Sequence, residues 1–454
     1  MPFVFIGIIG TGFLFTFYDI FDINVSFIQT CVELKRGCTP ANALTTLRIP
    51  IVLNLAGYVV GALILSPVSD RIGRRNMLLI TLGITAAGSL YNALAPDYTN
   101  FVIARIITGI GVGADLAIIN TFVGEVAPRR QRARWISVIF IMSSLGALLG
   151  IWLGLILTTP SAPWPDGLPF AAAGPHFTTG WRWMYGIGAL LAVVGIALRV
   201  RLPESPRWLV ARGRLEEADG VVSDMERTAS RHGPLAPVRD DVPMGQSAEH
   251  GRAAYRALFG DRLYAGRVLL LLSMWFLAYV TVYGFAAGFT TFLTSLKYPP
   301  PEAGLIVAVG AFGFLACALF AAAFAERMER KLWLPFGAVI TLIGGVIIAE
   351  AGKSLAVSFI GSAVVFFGFN VWVPITYALS TEHFPTRARA TGFALVDGIG
   401  HLGGGIGVLL IAPVIPHLTV LEAFMLVGSF QVVAAVIVQR SERTRGRHYE
   451  EISP

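Results

Sequence analysis

The chain has 454 residues, of which 55% are hydrophobic and 14% are charged, and its formal net charge is +7. Soluble domains carry about 25% charged residues, so this composition excludes an ordinary soluble protein. Apolar segments such as 135–158, 266–294 and 302–325 are long enough to cross a hydrocarbon core, which takes roughly 20 helical residues. The basic residues lie between these segments, which favours anionic lipid headgroups over nucleic acid as their partners.

Taken in chain order, the apolar segments predict an all-α membrane protein with twelve transmembrane helices. The first is a retained span and not a signal peptide, because its apolar run continues past Asp19 and Asp22 to about Cys31. The predicted spans lie near residues 3–31, 45–68, 77–95, 99–124, 135–158, 182–200, 266–293, 303–325, 332–350, 354–379, 391–412 and 419–438.

One side of the membrane receives most of the basic residues between spans. The loops 70–75, 128–134, 326–331 and 385–389 hold 12 Lys and Arg residues, far more than the loops of the other side. By the positive-inside rule, both termini are expected in the cytoplasm, with the protein in the plasma or inner membrane. In the first outer loop, Cys31 and Cys38 could form a disulfide or remain free thiols.

Charged motifs repeat in the two halves of the chain. Asp70–Arg75 follows the second span, and Glu326–Lys331 follows the eighth. Glu125 closes the fourth span and Glu382 closes the tenth, so the acid-to-acid separations are 55 and 56 residues. Transporters are often built from such internal repeats. The repeat therefore predicts two pseudo-symmetric six-helix bundles.

The bundles are expected at residues 1–200 and 263–440. Between them, residues 201–262 form the one clearly polar stretch, which predicts a cytoplasmic linker with short helices. Residues 441–454 are expected to form a cytoplasmic tail.

Several motifs resemble those of the major facilitator superfamily. Asp70–Arg75 resembles its first-loop signature, and Arg105–Gly113 resembles its fourth-helix motif. The segment Pro203–Leu209 is similar to the sugar-porter branch and its metabolite:proton symporter relatives. The resemblance implies secondary transport by alternating access, with the substrate between the two bundles.

Other positions depart from the sugar-porter pattern. Leu270–Phe292 lacks the paired glutamines of that family's seventh helix, and Gly368–Pro374 replaces its Gly-Pro-x-Pro-Trp. Asp19, Asp22 and Asp115 instead resemble positions in symporters for phosphate, niacin, aromatic acids and other organic ions. The resemblance therefore favours an organic ion over a hexose.

Three charged residues of the first half are candidates for proton coupling. A charge at the centre of a membrane helix costs roughly 2.5–3.5 kcal/mol, so intramembrane acids are functional candidates. Asp19 and Asp22 share one face of the first span, and Arg105 lies at a similar depth in the fourth. Our hypothesis is that Asp22 binds the proton and that Arg105 stabilises its ionised form, as in proton-coupled sugar-porter relatives. A static ion pair between two helices is the alternative.

Three further ionisable residues are candidate ligands. Asp115, just past the middle of the fourth span, is expected to bind substrate or a proton, as the matching acid does in phosphate-type relatives. A hydrogen bond to a neighbouring helix is the alternative. Asp397 and His401 share one face of the eleventh span and are candidate substrate ligands, since a histidine there could titrate with the carboxylate. A purely structural histidine is the alternative.

The seventh span carries an aromatic stripe at four-residue spacing, formed by Trp275, Tyr279 and Tyr283. Such stripes are often only packing, but aromatic rings with polar tips also suit a small-ligand pocket. We expect this stripe to line the central cavity. Further candidates for the cavity wall are Asn54, Asn370 and Trp372.

The charged cytoplasmic motifs are candidates for gating. Their recurrence favours an interhelical network that latches the outward-facing state, and solvation alone is the alternative. Their residues are Asp70, Arg71, Arg74, Glu125, Arg132, Glu326, Arg327, Glu382 and Arg389. The glycine stripes Gly146–Gly154 and Gly400–Gly404 have a small-xxx-small spacing that lets helices approach and slide.

The predicted function is proton-coupled symport of a small polar metabolite. An organic anion is favoured, because Arg48, Arg105 and His401 could offset its charge. A sugar transporter, a facilitative uniporter and sodium coupling stay open as alternatives. A drug-efflux antiporter is disfavoured because the fifth span lacks the Gly-Pro pair typical of antiporters, and a membrane sensor because the tail is short.

An enzyme is not expected, because the sequence has no nucleophile–base pair, metal cluster or phosphate-binding loop. The glycine runs lie within apolar helices, which is the wrong context for nucleotide binding. Accordingly, no cofactor and no metal are expected. The expected partners are a small-molecule substrate, protons and the lipid bilayer, with no nucleic acid, and the chain is expected to be a monomer.

Overall fold

The structure, a computed structural model, describes residues 3–126, 132–173, 179–231, 252–352, 354–385, 388–445, 447 and 449–453. Within these residues, 12 helices are long and apolar enough to cross a membrane, which confirms the predicted all-α fold. We number them spans 1 to 12 in chain order: Gly7–Leu34, Pro40–Leu65, Arg74–Leu94, Tyr98–Asn120, Ala133–Thr158, Gly180–Arg199, Arg262–Ala286, Pro300–Phe324, Arg330–Ala349, Leu355–Glu382, Thr391–Ile411 and Val420–Val438.

The spans of the two halves pack in the same pattern. In the first half, span 1 lies against spans 5 and 6, and span 4 lies against spans 2 and 3. In the second half, span 7 lies against spans 11 and 12, and span 10 lies against spans 8 and 9. Two further equivalent pairs, span 2 with span 11 and span 5 with span 8, join the halves. This pairing is that of two pseudo-symmetric six-helix bundles.

An even number of spans puts both chain ends on one side, which we call the inner side, and the opposite side is the outer side. The inner side carries the basic loops and the segment between the halves. The short helices of that segment are Pro206–Ala211, Leu215–Ser230 and Arg252–Phe259. On the outer side, a disulfide joins Cys31, near the end of span 1, to Cys38 in the loop between spans 1 and 2.

Four spans are interrupted. Span 7 gives way to a short helix at Phe289–Ser295, although the sequence predicts one helix over 266–293. Span 10 is interrupted after Asn370. Spans 2 and 11 each contain a π-helical segment, Gly61–Leu65 and Ala394–Gly398. π-Helical turns occur frequently at functional sites.

Glycines set the distance between spans that pack most closely. Gly146 of span 5 lies so near span 1 that a Cβ atom there would be 2.0 Å from the carbonyl oxygen of Leu14. In the equivalent pair of the second half, a Cβ atom on Gly404 of span 11 would meet the ring of Tyr283 at 2.4 Å. The predicted glycine stripes therefore lie at helix–helix contacts.

We expect Gly146→Ala to lower the free energy of unfolding by about 1–3 kcal/mol, the usual cost of overpacking. Gly186 of span 6 provides the control, because a Cβ atom there would meet nothing within 4 Å. The melting temperatures of Gly146→Ala and Gly186→Ala in detergent measure the difference. Equal melting temperatures for the two variants would show that spans 1 and 5 do not approach this closely.

Candidate transport site

A cluster of three charged residues lies inside the first half. Nη1 of Arg105 on span 4 is 3.7 Å from Oδ2 of Asp19 and 3.7 Å from Oδ1 of Asp22, both on span 1. All three side chains are 4% exposed or less. The guanidinium also donates a 3.3 Å hydrogen bond to the backbone carbonyl of Asp19. The structure thus brings together the residues that the sequence predicts to pair.

The two carboxylates of this cluster have different surroundings. Asp19 accepts a 2.5 Å hydrogen bond from the hydroxyl of Ser89 on span 3. The Asp22 carboxylate accepts no side-chain hydrogen bond from the described residues, among which Arg105 is its counter-ion. A buried polar group without a hydrogen bond costs several kcal/mol, and a buried ion costs more. Protonation would remove the larger cost, that of the buried charge, at Asp22, whereas Asp19 already has a hydrogen-bond donor.

Asp115 of span 4 is held by a residue that is not among the predicted site residues. Arg199, the last residue of span 6, forms a bidentate ion pair with it, and Nη2 lies 2.9 Å from Oδ2. Thr16 and Thr81 donate hydrogen bonds to the same carboxylate at 3.2 and 2.8 Å. Both ions are fully buried. Asp115 therefore joins spans 1, 3, 4 and 6 here, and its role in binding substrate or a proton stays a prediction.

Arg199→Met should lower the free energy of unfolding by about 3–5 kcal/mol, because it leaves a buried carboxylate without its counter-ion. Adding Asp115→Leu to the same chain should restore most of that loss, because no buried charge is then left unpaired. Melting temperatures of the two single variants and the double variant measure the coupling. Strictly additive effects would contradict a direct pair.

A second polar cluster lies in the second half. Oδ1 of Asp397 on span 11 accepts a 2.6 Å hydrogen bond from the hydroxyl of Tyr279 on span 7. Its Oδ2 accepts one from the hydroxyl of Tyr58 on span 2 at 3.2 Å. His401 lies between the two tyrosines, with its ring centroid 3.8 Å from that of Tyr58 and 3.9 Å from that of Tyr279. Tyr58 is not a predicted site residue, and it belongs to the first half.

The predicted aromatic stripe extends this cluster along span 7. The rings of Trp275 and Tyr279 stack at 4.9 Å, and Trp275 lies 5.3 Å from Trp372 on span 10. Tyr283 lies 5.6 Å from His401. The stripe therefore continues the second polar cluster along span 7, although its contact with substrate stays a prediction.

The two candidate asparagines donate hydrogen bonds to backbone carbonyls. Nδ2 of Asn54 donates to the carbonyl of Arg105 at 2.6 Å, which joins spans 2 and 4. Nδ2 of Asn370 donates to the carbonyl of Phe366 at 3.3 Å, one turn back on the same helix. Both residues thus take part in helix structure, and their contact with substrate stays a prediction.

On the outer side, span 1 closes against the break in span 7. Asn24 is fully buried, and its amide donates to the carbonyls of Phe285 and Ala286 at 3.0 and 2.7 Å. Its Oδ1 accepts hydrogen bonds from the backbone N–H and the hydroxyl of Thr290 at 3.1 and 2.9 Å. One side chain of the first half therefore satisfies the polar groups at the break in the second half. This contact explains why the helix predicted over 266–293 is interrupted.

On the inner side, the second-half motif forms a charge network. Arg330 at the start of span 9 forms an ion pair with Glu382 at the end of span 10, and it lies 3.7 Å from Glu326. Arg327 lies over a phenylalanine ring at 4.7 Å, and Arg389 is half-buried. The network connects spans 8, 9 and 10, with Arg330 at its centre.

The first-half motif is held by the segment that follows span 6. The carboxylate of Glu204 accepts a 2.9 Å hydrogen bond from the backbone N–H of Arg74, at the N-terminus of span 3, where the helix dipole favours an anion. Arg212 donates to the carbonyl of Arg71 at 3.0 Å. The rest of the first-half network stays a prediction, because three of its side chains lie outside the described residues, namely those of Asp70, Glu125 and Arg132.

The chain matches the family model described as sugar (and other) transporter over residues 4–454. It belongs to that family. This transporter is 27% identical over 453 residues to the niacin transporter NiaP of Acinetobacter baylyi, covering 98% of this chain and 95% of NiaP. It is 28% identical to the D-xylose transporter of Levilactobacillus brevis, over 88% of this chain and 84% of that protein.

Among solved structures, the transporter is similar to the proton:xylose symporter XylE of E. coli bound to 6-bromo-6-deoxy-D-glucose. The TM-score is 0.73 at 21% identity, over 99% of this chain and 98% of XylE. The protein is therefore a multi-pass secondary transporter with the major facilitator fold. In internally repeated transporters the substrate site lies between the repeats near the midplane, and Tyr58 of one repeat and Asp397 of the other meet where the repeats are in contact.

Proposed function

We propose that this transporter imports a small organic anion together with a proton. The observation that carries the proposal is the buried pair of carboxylates, Asp19 and Asp22, which share Arg105 as their counter-ion. With both acids ionised, the cluster carries one excess negative charge, and one bound proton removes it. Burial favours the neutral state, whereas contact with water favours release of the proton. Alternating access can therefore load and unload this proton.

Arg105 links the proton to the substrate. When Asp22 takes a proton, Arg105 keeps only Asp19 as a counter-ion and can form charge-assisted hydrogen bonds with an anionic group of the substrate. Loss of the proton restores the attraction between Asp22 and Arg105, which then competes with the substrate. A proton gradient thus favours substrate binding on the acidic side and release on the alkaline side.

A neutral sugar is the second candidate substrate. Two proteins similar to this chain, the transporter of Levilactobacillus brevis and XylE, carry xylose in their names, whereas NiaP is named for niacin. Leu270–Phe292 has no glutamine to bond a sugar hydroxyl, and the hydroxyls of Tyr58 and Tyr279 already bond Asp397. The missing glutamine and the occupied tyrosine hydroxyls leave few groups to bind a sugar, which favours the anion.

The remaining parts of the proposal concern placement and gating. The basic loops of the inner side support a cytoplasmic location of both termini, in the plasma or inner membrane. The network around Arg330 supports an inner gate that holds the outward-facing state. A single chain supplies both halves of the site, which supports a monomer. We assign the protein transport alone, with no enzymatic reaction and no cofactor.

Uptake into proteoliposomes tests the proposed function. We expect accumulation of at least one compound from a panel of nicotinate, aromatic acids, dicarboxylates, phosphate and xylose, and only under an inward proton gradient. Asp22→Asn should abolish this accumulation but retain exchange of substrate across the membrane, because a neutral amide mimics the protonated acid. Asp97→Asn, which changes an exposed acid between spans 3 and 4, is the control.

Accumulation by the Asp22→Asn variant would contradict the assignment of the proton site. Gradient-dependent accumulation of xylose alone would favour the second candidate substrate. A compound that equilibrates without accumulating in the wild-type liposomes would indicate a uniporter.

We expect Arg330→Gln to shift the protein towards the inward-open state, because Glu382 and Glu326 lose their shared cation. Hydrogen–deuterium exchange at the inner ends of spans 9 and 10 should then rise several-fold, since backbone amides exchange when a segment opens. Arg327, also a gating candidate from the sequence, lies over an aromatic ring, whereas the described ion pairs of Glu326 and Glu382 are with Arg330. Arg327→Gln should therefore leave exchange near the wild-type rate. Equal exchange in the two variants would argue against a gate at Arg330.

A further inference from the structure

The cluster around Asp397 lies at a contact between the two halves. Its first-half member is Tyr58, and span 2 packs along span 11. Both spans leave the α-helical pattern here, because the π segment Gly61–Leu65 contacts the π segment Ala394–Gly398. Such segments are rare and occur frequently at functional sites. The contact between two π segments indicates that this part of the interface between the halves has a functional role.

The ionisable groups that face Asp397 are one histidine and several tyrosines. The Nδ1 atom of His401 is 3.7 Å from the Asp397 carboxylate and 2.7 Å from its backbone carbonyl. Tyr377 extends the hydroxyl network, with its oxygen 3.2 Å from that of Tyr279. By element, the groups are Tyr58 on span 2, Tyr279 and Tyr283 on span 7, Tyr377 on span 10 and His401 on span 11.

Span 4 also touches the π segment of span 11. Its cation Arg105 lies within 3.7 Å of Asp19 and Asp22, and no described ion pair joins it to Asp397. Among the described groups that face Asp397, His401 is thus the one that can become a cation. The charge of the cluster is therefore decided by protons on Asp397 and His401.

One bound proton balances the charge of Asp397 and His401, as one bound proton does in the cluster of Asp22. With Asp397 ionised and His401 neutral, the buried pair carries a negative charge, and one added proton cancels it. A net charge within the membrane is costly, so the closed cluster favours the neutral state. Both side chains are 3% exposed or less. Contact with water removes the preference and lets the proton leave.

Asp397 and His401 lie at different depths in the membrane. Span 11 runs from the inner to the outer side, so His401 lies one turn nearer the outer side than Asp397. Tyr58 covers the pair from the first half, because it stacks on His401 and donates to Asp397. A separation of the halves on the inner side would withdraw Tyr58 and expose Asp397 to water.

We propose that Asp397 and His401 form a second proton-binding site, closed towards the inner side by Tyr58. A proton from outer water binds His401, passes to the Asp397 carboxylate and leaves to inner water, so one N–H bond and one O–H bond form and break in turn. The geometry of the cluster supports the site, and only its use in transport rests on the proposed function. Two protons then accompany each substrate molecule.

Infrared difference spectroscopy tests the site with the proton itself as the probe. The full chain in lipid is cycled between acidic and alkaline buffer, and the C=O stretching region of protonated carboxylic acids is recorded. We expect two buried acids to respond, one lost in Asp22→Asn and the other lost in Asp397→Asn. An Asp397→Asn spectrum identical to the wild type would overturn the second site. An Asp22→Asn spectrum identical to the wild type would instead overturn the proton site of the proposed function.

His401→Gln provides a second variant in case Asp397→Asn does not fold. It should shift the pH midpoint of the Asp397 band and leave the Asp22 band in place, because the glutamine cannot take a proton. A midpoint that does not move would separate His401 from the site and overturn the pair.

Two tyrosines form a matched test of the closure. Tyr58→Phe removes a hydroxyl that reaches Asp397 from the first half, whereas Tyr377→Phe removes one within the second half. We expect the Asp397 band to exchange with deuterated water several-fold faster in Tyr58→Phe than in Tyr377→Phe. Equal exchange rates would overturn the role of Tyr58.

Proton stoichiometry gives a readout that a purely structural role would not change. For the compound that the uptake panel identifies, accumulation at equilibrium is measured against the size of the pH gradient. Asp397→Asn should still accumulate it, but with one proton per substrate in place of two, because the proton site at Asp22 is intact in this variant. A wild-type stoichiometry of one proton would overturn the second site as a part of transport.

Discussion

A charge inside the hydrocarbon core has to be balanced within its own cluster, and this constraint determines where several spans of the transporter lie. Arg105 balances the charge of Asp19 and Asp22, and this attraction holds span 4 against span 1. Arg199 balances the charge of Asp115, and this ion pair links span 6 to span 4. Breaking such a pair costs more than the pair contributes. The same pairs that assemble the first half therefore give it sites whose charge a single proton can change.

The number and position of the spans could be predicted because an apolar helix must match the thickness of the membrane. The pairing of Asp22 with Arg105 could be predicted for a related reason, since counting residues along a span gives the depth of each side chain. The break in span 7 could not. It depends on Asn24, which lies on another span, more than 260 residues from the groups it bonds.

Two residues of the polar clusters were not predicted, and their positions in the chain explain why. Arg199 is the last residue of its span, and an arginine at that position resembles one that faces lipid headgroups. Its long side chain instead reaches back to Asp115. Tyr58 is a single tyrosine in an apolar run, and its partner Asp397 is 339 residues away on the other half. Only the packing of the two bundles brings them together.

The hydrogen bonds of Asn24 have a consequence for how easily the outer side can open. Opening would exchange these bonds for bonds to water, and each such exchange changes the free energy by only about 0.5–1.5 kcal/mol. When water replaces every hydrogen bond that is lost on opening, these bonds favour neither the closed nor the open state strongly. The hydration of this one side chain thus helps to keep the two states close in free energy. A modest difference in the affinity for bound protons and substrate can then decide between them.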